Sequence, residues 1–250
     1  MRTALFLSPH LDDVAFSCGA ALARLASDGW RCVLATAFTR SVPEPSGFAL
    51  ACQIDKGLAP GIDYMRLRRS EDAEFARIVG VHDLRWLDFA EAPHRGYRSA
   101  AELFGRPSPD DDVLPMLCER LQAVCTELQP QLLFAPLALG LHVDHVQLRR
   151  AVLRLSRDAA IAWYRDVPYA MRTELSAPAA PLALPTGPHL RVKLDGCAAY
   201  GSQIGFQFGS AERMREALAA FACDEGRAAR LDQPAERFVA DERAARLLAF

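Results

Sequence analysis

The sequence of 250 residues lacks paired cysteine motifs, long hydrophobic runs and an excess of charge of either sign. Its seven cysteines are an odd number and none forms Cys-x-x-Cys, which disfavours a disulfide framework and favours a reducing, cytoplasmic location. A membrane span needs about 18 consecutive apolar residues, and no stretch of the sequence is that long. The N-terminal apolar run is also too short for a signal peptide. The sequence therefore predicts no association with a membrane.

The charge balance and the apolar content limit what the chain is expected to bind. Lys and Arg number 29 and Asp and Glu number 31, a net charge of −2 that gives no reason to expect a nucleic-acid partner. A charge this close to zero, together with apolar residues in the loops, indicates a homo-oligomer. With 51% hydrophobic residues, the length suits one domain over residues 1–250. We expect its core at about 1–170, followed by an irregular excursion and C-terminal helices at 171–250.

Short apolar runs alternate with amphipathic segments along the chain. The apolar runs predict strands at 3–8, 31–38, 84–87, 131–135 and 161–164. Helical spacing of apolar residues predicts helices at 14–27, 65–79, 113–128, 146–155 and 211–221. Segments 41–60, 94–109 and 176–188, rich in Pro and Gly or polar residues, are expected to be irregular. This alternation predicts an α/β, Rossmann-like, mostly parallel sheet with helices on both faces.

Two common site types are missing from this pattern. The turn after the first strand, PHLDDVAFSCG, has no glycine before Gly19, so it lacks the fingerprint of a dinucleotide-binding fold. Ser8 and Ser17 have no Gly-x-Ser-x-Gly context, so a serine hydrolase is not supported.

Instead, two clusters of imidazoles and carboxylates follow predicted strands. His10, Asp12 and Asp13 follow the first strand, and LGLHVDHVQL, which follows the strand QLLFAP, supplies His142, Asp144 and His145. Sites of open α/β sheets form beyond the carboxyl ends of the strands, so the two clusters are expected to meet there. Each cluster alone is also typical of a polar helix start, where Asp caps the helix and complements its dipole.

Together the two clusters predict a metal site. Imidazole nitrogens and a carboxylate without a thiolate suit Zn²⁺, with Fe²⁺ or another divalent ion as the alternative. Catalytic zinc typically has three protein ligands, which His10, Asp13 and His145 would provide. Asp12 would then stand beside the ion as a general base, although spacing alone does not choose Asp13 over Asp12 as the ligand. Asp144 is expected to orient one of the imidazoles without binding the ion.

These motifs resemble those of the PIG-L/LmbE-like zinc-dependent N-acetyl-sugar deacetylases. Their first motif, His-Pro-Asp-Asp-Glu, is matched here by HLDDV at 10–14, and their second, His-Pro-Asp-His, by HVDH at 142–145. An Arg three residues before a Glu, Arg68 and Glu71 in LRRSEDAEF, also follows the family pattern, and the resemblance extends over residues 3 to about 170. The segment AAYGSQIGF at 198–206 is similar to the family less specifically.

The resemblance implies one role for each of the matched residues. The resemblance implies that His10, Asp13 and His145 are the metal ligands and that Asp12 is the base. It implies that His142 is the acid or the oxyanion stabiliser. Arg68 would contact a polar group of the substrate.

The sequence also departs from the family pattern. Leu11 and Val143 replace prolines, and Val14 replaces a glutamate that is not usually a ligand. Some relatives carry a tyrosine, proposed to assist the oxyanion, where Gly140 stands here. Tyr164 and Tyr169 are candidates for that role, and ordinary aromatic residues at a strand end are the alternative.

The leading hypothesis is therefore a zinc-dependent hydrolase that removes an acetyl group from a small N-acetylated amino sugar or its conjugate. One alternative is a non-catalytic carbohydrate-binding protein with a structural metal, which predicts a closed site with four ligands. Another is a different metallohydrolase on the same fold, such as a phosphoesterase. Two-metal phosphoesterases need more ligands than these clusters supply.

Overall fold

A computed structural model describes residues 1–156, 158–172 and 182–249. Seven strands form one sheet: β1 (Thr3–Ser8), β2 (Arg31–Phe38), β3 (Asp83–Phe89), β4 (Leu132–Pro136), β5 (Ala160–Tyr164), β6 (Leu182–Pro185) and β7 (Ala235–Ala240). The helices are α1 (Asp13–Ser27), α2 (Gly47–Ile54), α3 (Tyr64–Val79), α4 (Val113–Leu128), α5 (Val143–Val152), α6 (Tyr169–Arg172), α7 (His189–Cys197), α8 (Gly201–Phe208), α9 (Ala211–Ala228) and α10 (Glu242–Leu248).

The sheet has the order β3-β2-β1-β4-β5-β7-β6. The first five strands in this order are parallel, whereas β7 runs antiparallel to both β5 and β6. Strand β1 is the middle one of the five parallel strands, and every residue in it is buried, which explains its unbroken apolar run. Separate apolar cores cover the two faces of the sheet. The predicted α/β class with a mostly parallel sheet and helices on both faces is confirmed.

Strand β1 and strand β4 are direct neighbours and point the same way. The turns that follow them therefore emerge at the same edge of the sheet, and these are the turns that carry the two polar clusters. Strand β5 adjoins β4, also in parallel, so the turn after Tyr164 emerges at the same edge. The topology thus brings three chain segments together above the central strands.

Several local expectations differ from the structure. The segment 41–60 contains the helix α2, and α5 begins at Val143, three residues earlier than its apolar spacing predicts. Within 176–188, residues 182–185 form β6, and residues 176–181 lie outside the described residues. The structure also places β7 in the C-terminal part, where the sequence pattern predicts helices and no strand.

Strand β7 fixes the helix that begins at the first polar cluster. Helix α1 is kinked at Cys18, where φ is −140°. Glu236 of β7 accepts hydrogen bonds there from the backbone N–H groups of Ala20 and Ala21 and pairs with Lys193 Nζ at 2.8 Å. The kink frees backbone donors from the helix, and the buried carboxylate satisfies them. The C-terminal strand therefore helps to hold α1 in place at its kink.

No helix among the described residues is both long enough and apolar enough to span a bilayer.

Asp72 of α3 gives a testable dependence of stability on pH. Its carboxylate is buried and accepts hydrogen bonds from Trp86 Nε1 at 2.9 Å and Tyr200 Oη at 2.7 Å. Burial raises the pKa of Asp72 to about 7 despite these donors. In the unfolded chain Asp72 loses its proton near the ordinary pKa of about 3.9, whereas in the folded state it keeps the proton up to about pH 7. The contribution of Asp72 to folding therefore becomes less favourable as the pH rises from about 3.9 through about 7.

We expect the Asp72→Asn variant to lack this dependence. The melting temperature of the variant minus that of the wild type, measured by calorimetry, should increase by several degrees between pH 5 and pH 8. All other titrating groups are common to both proteins, so the difference isolates Asp72. A difference in melting temperature that stays constant over this range would contradict the assignment.

Candidate active site

The structure brings His10, Asp13 and His145 together. One ligand atom from each lies within 4.8 Å of the other two. Asp13 Oδ2 is 3.2 Å from His10 Nδ1 and 3.3 Å from His145 Nε2. Two ligands that share a tetrahedral zinc ion at its usual bond lengths are about 3.4 Å apart. The predicted set of three therefore has the spacing of a metal site.

Asp166 fixes which nitrogen of His145 faces this cluster. His145 Nδ1 lies 2.7 Å from Asp166 Oδ1, and both side chains are fully buried. Because the carboxylate accepts, Nδ1–H donates, and the neutral ring then carries its lone pair on Nε2. That atom is buried without a hydrogen-bond partner in the described structure. A carboxylate beside a metal-binding imidazole commonly holds the ring in this way.

Asp144 has the same relation to His10. His10 Nε2 donates to Asp144 Oδ2 at 2.9 Å, which leaves the lone pair on Nδ1 facing Asp13. Arg95 pairs with Asp144 Oδ1 at 2.8 Å and with Asp111, so a chain of buried charges backs the imidazole. Asp111 lies two residues before the start of α4 and is buried. It also accepts a hydrogen bond from Tyr97.

The charges and lone pairs of the cluster favour the binding of a cation. Burial alone would lower the pKa of His145, but Asp13 and Asp166 outweigh it and raise the pKa to about 10. Burial likewise opposes the charged form of His10, and Asp13 and Asp144 raise its pKa to about 9. Two ring lone pairs and a carboxylate oxygen that face one another repel unless a proton or a metal ion lies among them. The donor set and the orphaned Nε2 of His145 therefore fit a divalent ion.

Asp12 stands beside the three candidate ligands and is held on both oxygens. Arg68 Nη2 donates to Oδ1 at 2.8 Å, and Gln207 Nε2 donates to Oδ2 at 2.8 Å. Burial raises the pKa of Asp12, and the positive charge of Arg68 opposes this rise. Arg68 is itself buried, with its second terminal nitrogen on Glu91 Oε1 at 2.6 Å. Arg68, which is predicted to contact the substrate, thus already positions the Asp12 carboxylate.

His142 occupies the N-cap position of α5. Its Nδ1 accepts the backbone N–H of Asp144 at 3.3 Å, so the neutral ring carries its hydrogen on Nε2. Burial lowers the pKa of His142 to about 3, which keeps the ring neutral. His142 therefore caps the helix with Nδ1 and carries its hydrogen on Nε2, beside the cluster.

Of the two tyrosine candidates, only Tyr169 reaches the site. Tyr164 is buried and donates to the backbone oxygen of Leu7 at 3.0 Å, as expected for an aromatic residue at a strand end. The ring of Tyr169 lies 5.5 Å from the ring of His145. It also lies against Gly140, whose φ is 79° and where an added Cβ would be 2.6 Å from Tyr169 Cδ1. The absence of a side chain at Gly140 makes room for this ring.

These groups line one cavity of about 130 Å³. Its wall contains His10, Asp12, Asp13, Arg68, His142, Asp144 and Tyr169. Helix α2 and its end contribute Cys52 and Lys56, and α8 contributes Gln203, Phe206 and Gln207. The cavity has room for a small polar group next to the cluster, and its outer wall comes from segments outside the two motifs.

Sequence reasoning missed three residues that support the site. Asp166 follows β5, and the rule that sites form at carboxyl strand ends points to it as well as to the two clusters. Arg95 lies in the segment 94–109, whose polar composition gives no sign of a buried ion pair. Gln207 follows the segment AAYGSQIGF directly, but nothing in that pattern indicates its contact with Asp12.

Two imidazoles and a carboxylate around one cavity, with a second carboxylate beside them, form the arrangement of a metal-dependent hydrolase. The family described as PIG-L, GlcNAc-PI de-N-acetylase, matches residues 5–156, and the chain belongs to this family. The family resemblance inferred from the two motifs is confirmed.

Individual proteins similar to this chain include two curated relatives. One is a 2'-N-acetylparomamine deacetylase of Streptomyces fradiae, 33% identical over 168 residues, which are 66% of this chain and 57% of that protein. The other, with the same name, is from Niallia circulans and is 32% identical over 190 residues, 67% of this chain and 68% of that protein. The chain thus spans little more than half the length of the first relative.

The fold of this chain is also similar to folds seen in solved structures. The zinc-inhibited form of the teicoplanin deacetylase Orf2 superposes with a TM-score of 0.82 at 24% identity, over 96% of this chain and 99% of that chain. Similarity at this level of identity establishes that the folds agree, including the C-terminal strands and helices beyond residue 156.

Proposed function

We propose that this protein hydrolyses the N-acetyl group of an amino sugar or a sugar conjugate. The observation that carries the proposal is Asp12, a buried carboxylate that lines the cavity next to His10 and Asp13, two of the three clustered candidate ligands. A protein that only stored a structural metal would have no need of a separate, positioned carboxylate there. Membership of a de-N-acetylase family supports the acetamide as the group attacked.

His10, Asp13 and His145 are proposed to hold one Zn²⁺, with Fe²⁺ as the alternative. Zn²⁺ bound there would polarise the acetamide carbonyl and lower the pKa of water. Asp144 and Asp166 would keep the two imidazoles in the tautomers whose lone pairs face the ion. No thiolate lies in this set of ligands, which favours these ions over those that need sulfur.

Asp12 is proposed to act as the general base. Its carboxylate takes a proton from the attacking water as the oxygen forms a bond to the carbonyl carbon. The C–N bond then breaks, and the departing nitrogen receives the proton that Asp12 held. The products are acetic acid and the free amine, which ionise in water to acetate and the ammonium form, so atoms and charge balance without any other reactant.

His142 is proposed to stabilise the negative charge that develops on the carbonyl oxygen. Its Nδ1 already accepts from the helix backbone, so the hydrogen available to the substrate is the one on Nε2. A positioned neutral donor of this kind stabilises an oxyanion. This arrangement favours oxyanion stabilisation over proton donation as the role of His142. Tyr169 is proposed to supply the second polar group on that side of the cavity.

The test is the release of acetate by the zinc-loaded protein. N-acetylglucosamine and 2'-N-acetylparomamine are suitable probes, with acetate measured by a coupled assay and the amine by mass spectrometry. We expect stoichiometric acetate and amine from at least one of these probes, at a rate that falls by at least about 10²-fold when the Asp12→Asn variant replaces the wild type.

The same experiment separates the two alternatives. A carbohydrate-binding protein with a structural metal would bind the sugar, as seen by calorimetry, and release no acetate. A phosphoesterase would cleave p-nitrophenyl phosphate in preference to the acetamides. Either of these results would overturn the proposal.

A further inference from the structure

Helix α8 contributes a glutamine to the site from far along the chain. Gln207 Nε2 donates to Asp12 Oδ2 at 2.8 Å, across 195 residues of sequence. A carboxylate oxygen can only accept here, so the amide end that faces Asp12 must be the NH2 group. The carbonyl end, Oε1, is thereby directed away from Asp12, and the contact itself fixes the orientation of the amide.

That carbonyl oxygen has no donor. Gln207 Oε1 is buried and makes no hydrogen bond in the described structure. Buried polar atoms are almost always paired, so an orphaned acceptor in a cavity wall indicates a group that arrives from the cavity. Gln203, one turn earlier on α8 and also in the wall, contrasts with it. The Gln203 carbonyl oxygen accepts a hydrogen bond from Tyr64 Oη at 3.5 Å, and its amide nitrogen donates to Ser202 Oγ at 2.8 Å.

Gln207 is also held firmly in place. The backbone N–H and the hydroxyl of Ser202 donate to the two carboxylate oxygens of Glu71, each at 2.7 Å. Glu71 belongs to α3, the helix that carries Arg68. The two donors to Asp12 therefore sit on helices that are joined to each other, and side chains on joined, rigid elements hold a site more accurately than loops do.

We propose that Gln207 has two functions in the reaction proposed above, on which this inference rests. Through Nε2 it is a positioning residue, because it fixes the orientation of the Asp12 carboxylate. Through Oε1 it binds the substrate, by accepting a hydrogen bond from a hydroxyl or N–H of the sugar next to the acetamide. Gln207 thus couples the placement of the base to the presence of a donor on the sugar.

Two substitutions separate these functions. Gln207→Met keeps the shape and removes both polar atoms. Gln207→Glu keeps an acceptor for the sugar but replaces the donor to Asp12 by a second carboxylate, which disturbs the base through like-charge repulsion. Ser202→Ala is the matched control, because it removes only the hydroxyl bond to Glu71, keeps the bond from the Ser202 backbone N–H that ties α8 to α3, and changes no residue of the cavity wall.

The measurements are kcat and KM of the zinc-loaded variants for whichever acetamide probe the wild type hydrolyses, with melting temperatures alongside. Gln207→Met should lower kcat about tenfold and raise KM about tenfold, the size expected for one hydrogen bond in each state. Gln207→Glu should lower kcat similarly and leave KM within about twofold. Ser202→Ala should lower the melting temperature and change neither constant.

Each other result counts against the inference in a distinct way. If both substitutions leave kcat and KM unchanged, Gln207 neither positions Asp12 nor binds sugar. If both lower the melting temperature as Ser202→Ala does, with kcat and KM per folded molecule unaltered, its role is structural only. If the wild type itself releases no acetate from any probe, the proposed function fails, and this inference fails with it.

Discussion

Replacing Asp12 by Asn is expected to lower kcat for acetamide hydrolysis by about 10²–10⁴-fold, the usual contribution of a general base. The amide keeps the size of the carboxylate and still accepts a hydrogen bond from Arg68. The side chain can no longer take a proton from water, however, and this is the step that the proposed mechanism assigns to it. Steady-state acetate release and elemental analysis of the same preparation measure the two consequences.

The neighbouring position gives the matched control. In the Asp12→Asn variant the metal content should remain that of the wild type, because His10, Asp13 and His145 are unchanged. The Asp13→Asn variant should lose metal and activity together, since it replaces the carboxylate that lies between the two imidazoles by a neutral amide, a much weaker ligand. If Asp12→Asn hydrolysed the substrate as fast as the wild type, the role of Asp12 as base would be wrong.

Removal of the metal is the second change with a large expected effect. Dialysis against a chelator should lower the rate by at least about 10²–10³-fold, because a Lewis acid contributes several kcal/mol to such a reaction. Addition of Zn²⁺ should restore activity at one ion per chain, as determined by elemental analysis. The stoichiometry of one follows because the two sets of possible ligands among the described residues, His10 with Asp13 and His145 and His10 with His142 and Asp144, share His10 and so do not hold two ions independently.

Two variants test which residues hold the ion and which only orient its ligands. His145→Ala should not regain activity at the Zn²⁺ concentration that restores the wild type. Asp166→Asn keeps all three ligands but weakens the hold on the His145 ring, so its affinity for Zn²⁺ should fall by about 10–100-fold. Two tightly bound ions per chain, or full metal content in His145→Ala, would rule out this site.

The parts of the site that the sequence predicts are those in which position along the chain determines position in space. Parallel strands buried on both faces give unbroken apolar runs, so β1 and β4 are visible without coordinates. Their carboxyl ends lie at the same edge of the sheet, and residues that follow directly, such as His10 and His145, must meet there. Short connections leave little freedom, which is why the motifs predict the cluster.

The supporting contacts have no such local signal. Asp166 and His145 are 21 residues apart, and Gln207 and Asp12 are 195 apart, so the pairing depends on how whole elements pack. Strand β7 escapes prediction because it is antiparallel and only partly buried, and it includes the charged residues Glu236 and Arg237. Helix α2 is short and follows Pro43 and Pro45, so its local composition resembles that of a loop.

The close contact between Gly140 and Tyr169 makes the two positions interdependent in evolution. Any side chain introduced at residue 140 would collide with the aromatic ring already there, and its backbone at φ 79° would strain it as well. In a lineage that acquires a tyrosine at position 140, the aromatic residue at position 169 must therefore be replaced first. Intermediates with both aromatic groups are sterically blocked, so related sequences should carry a large side chain at one of these two places and never at both.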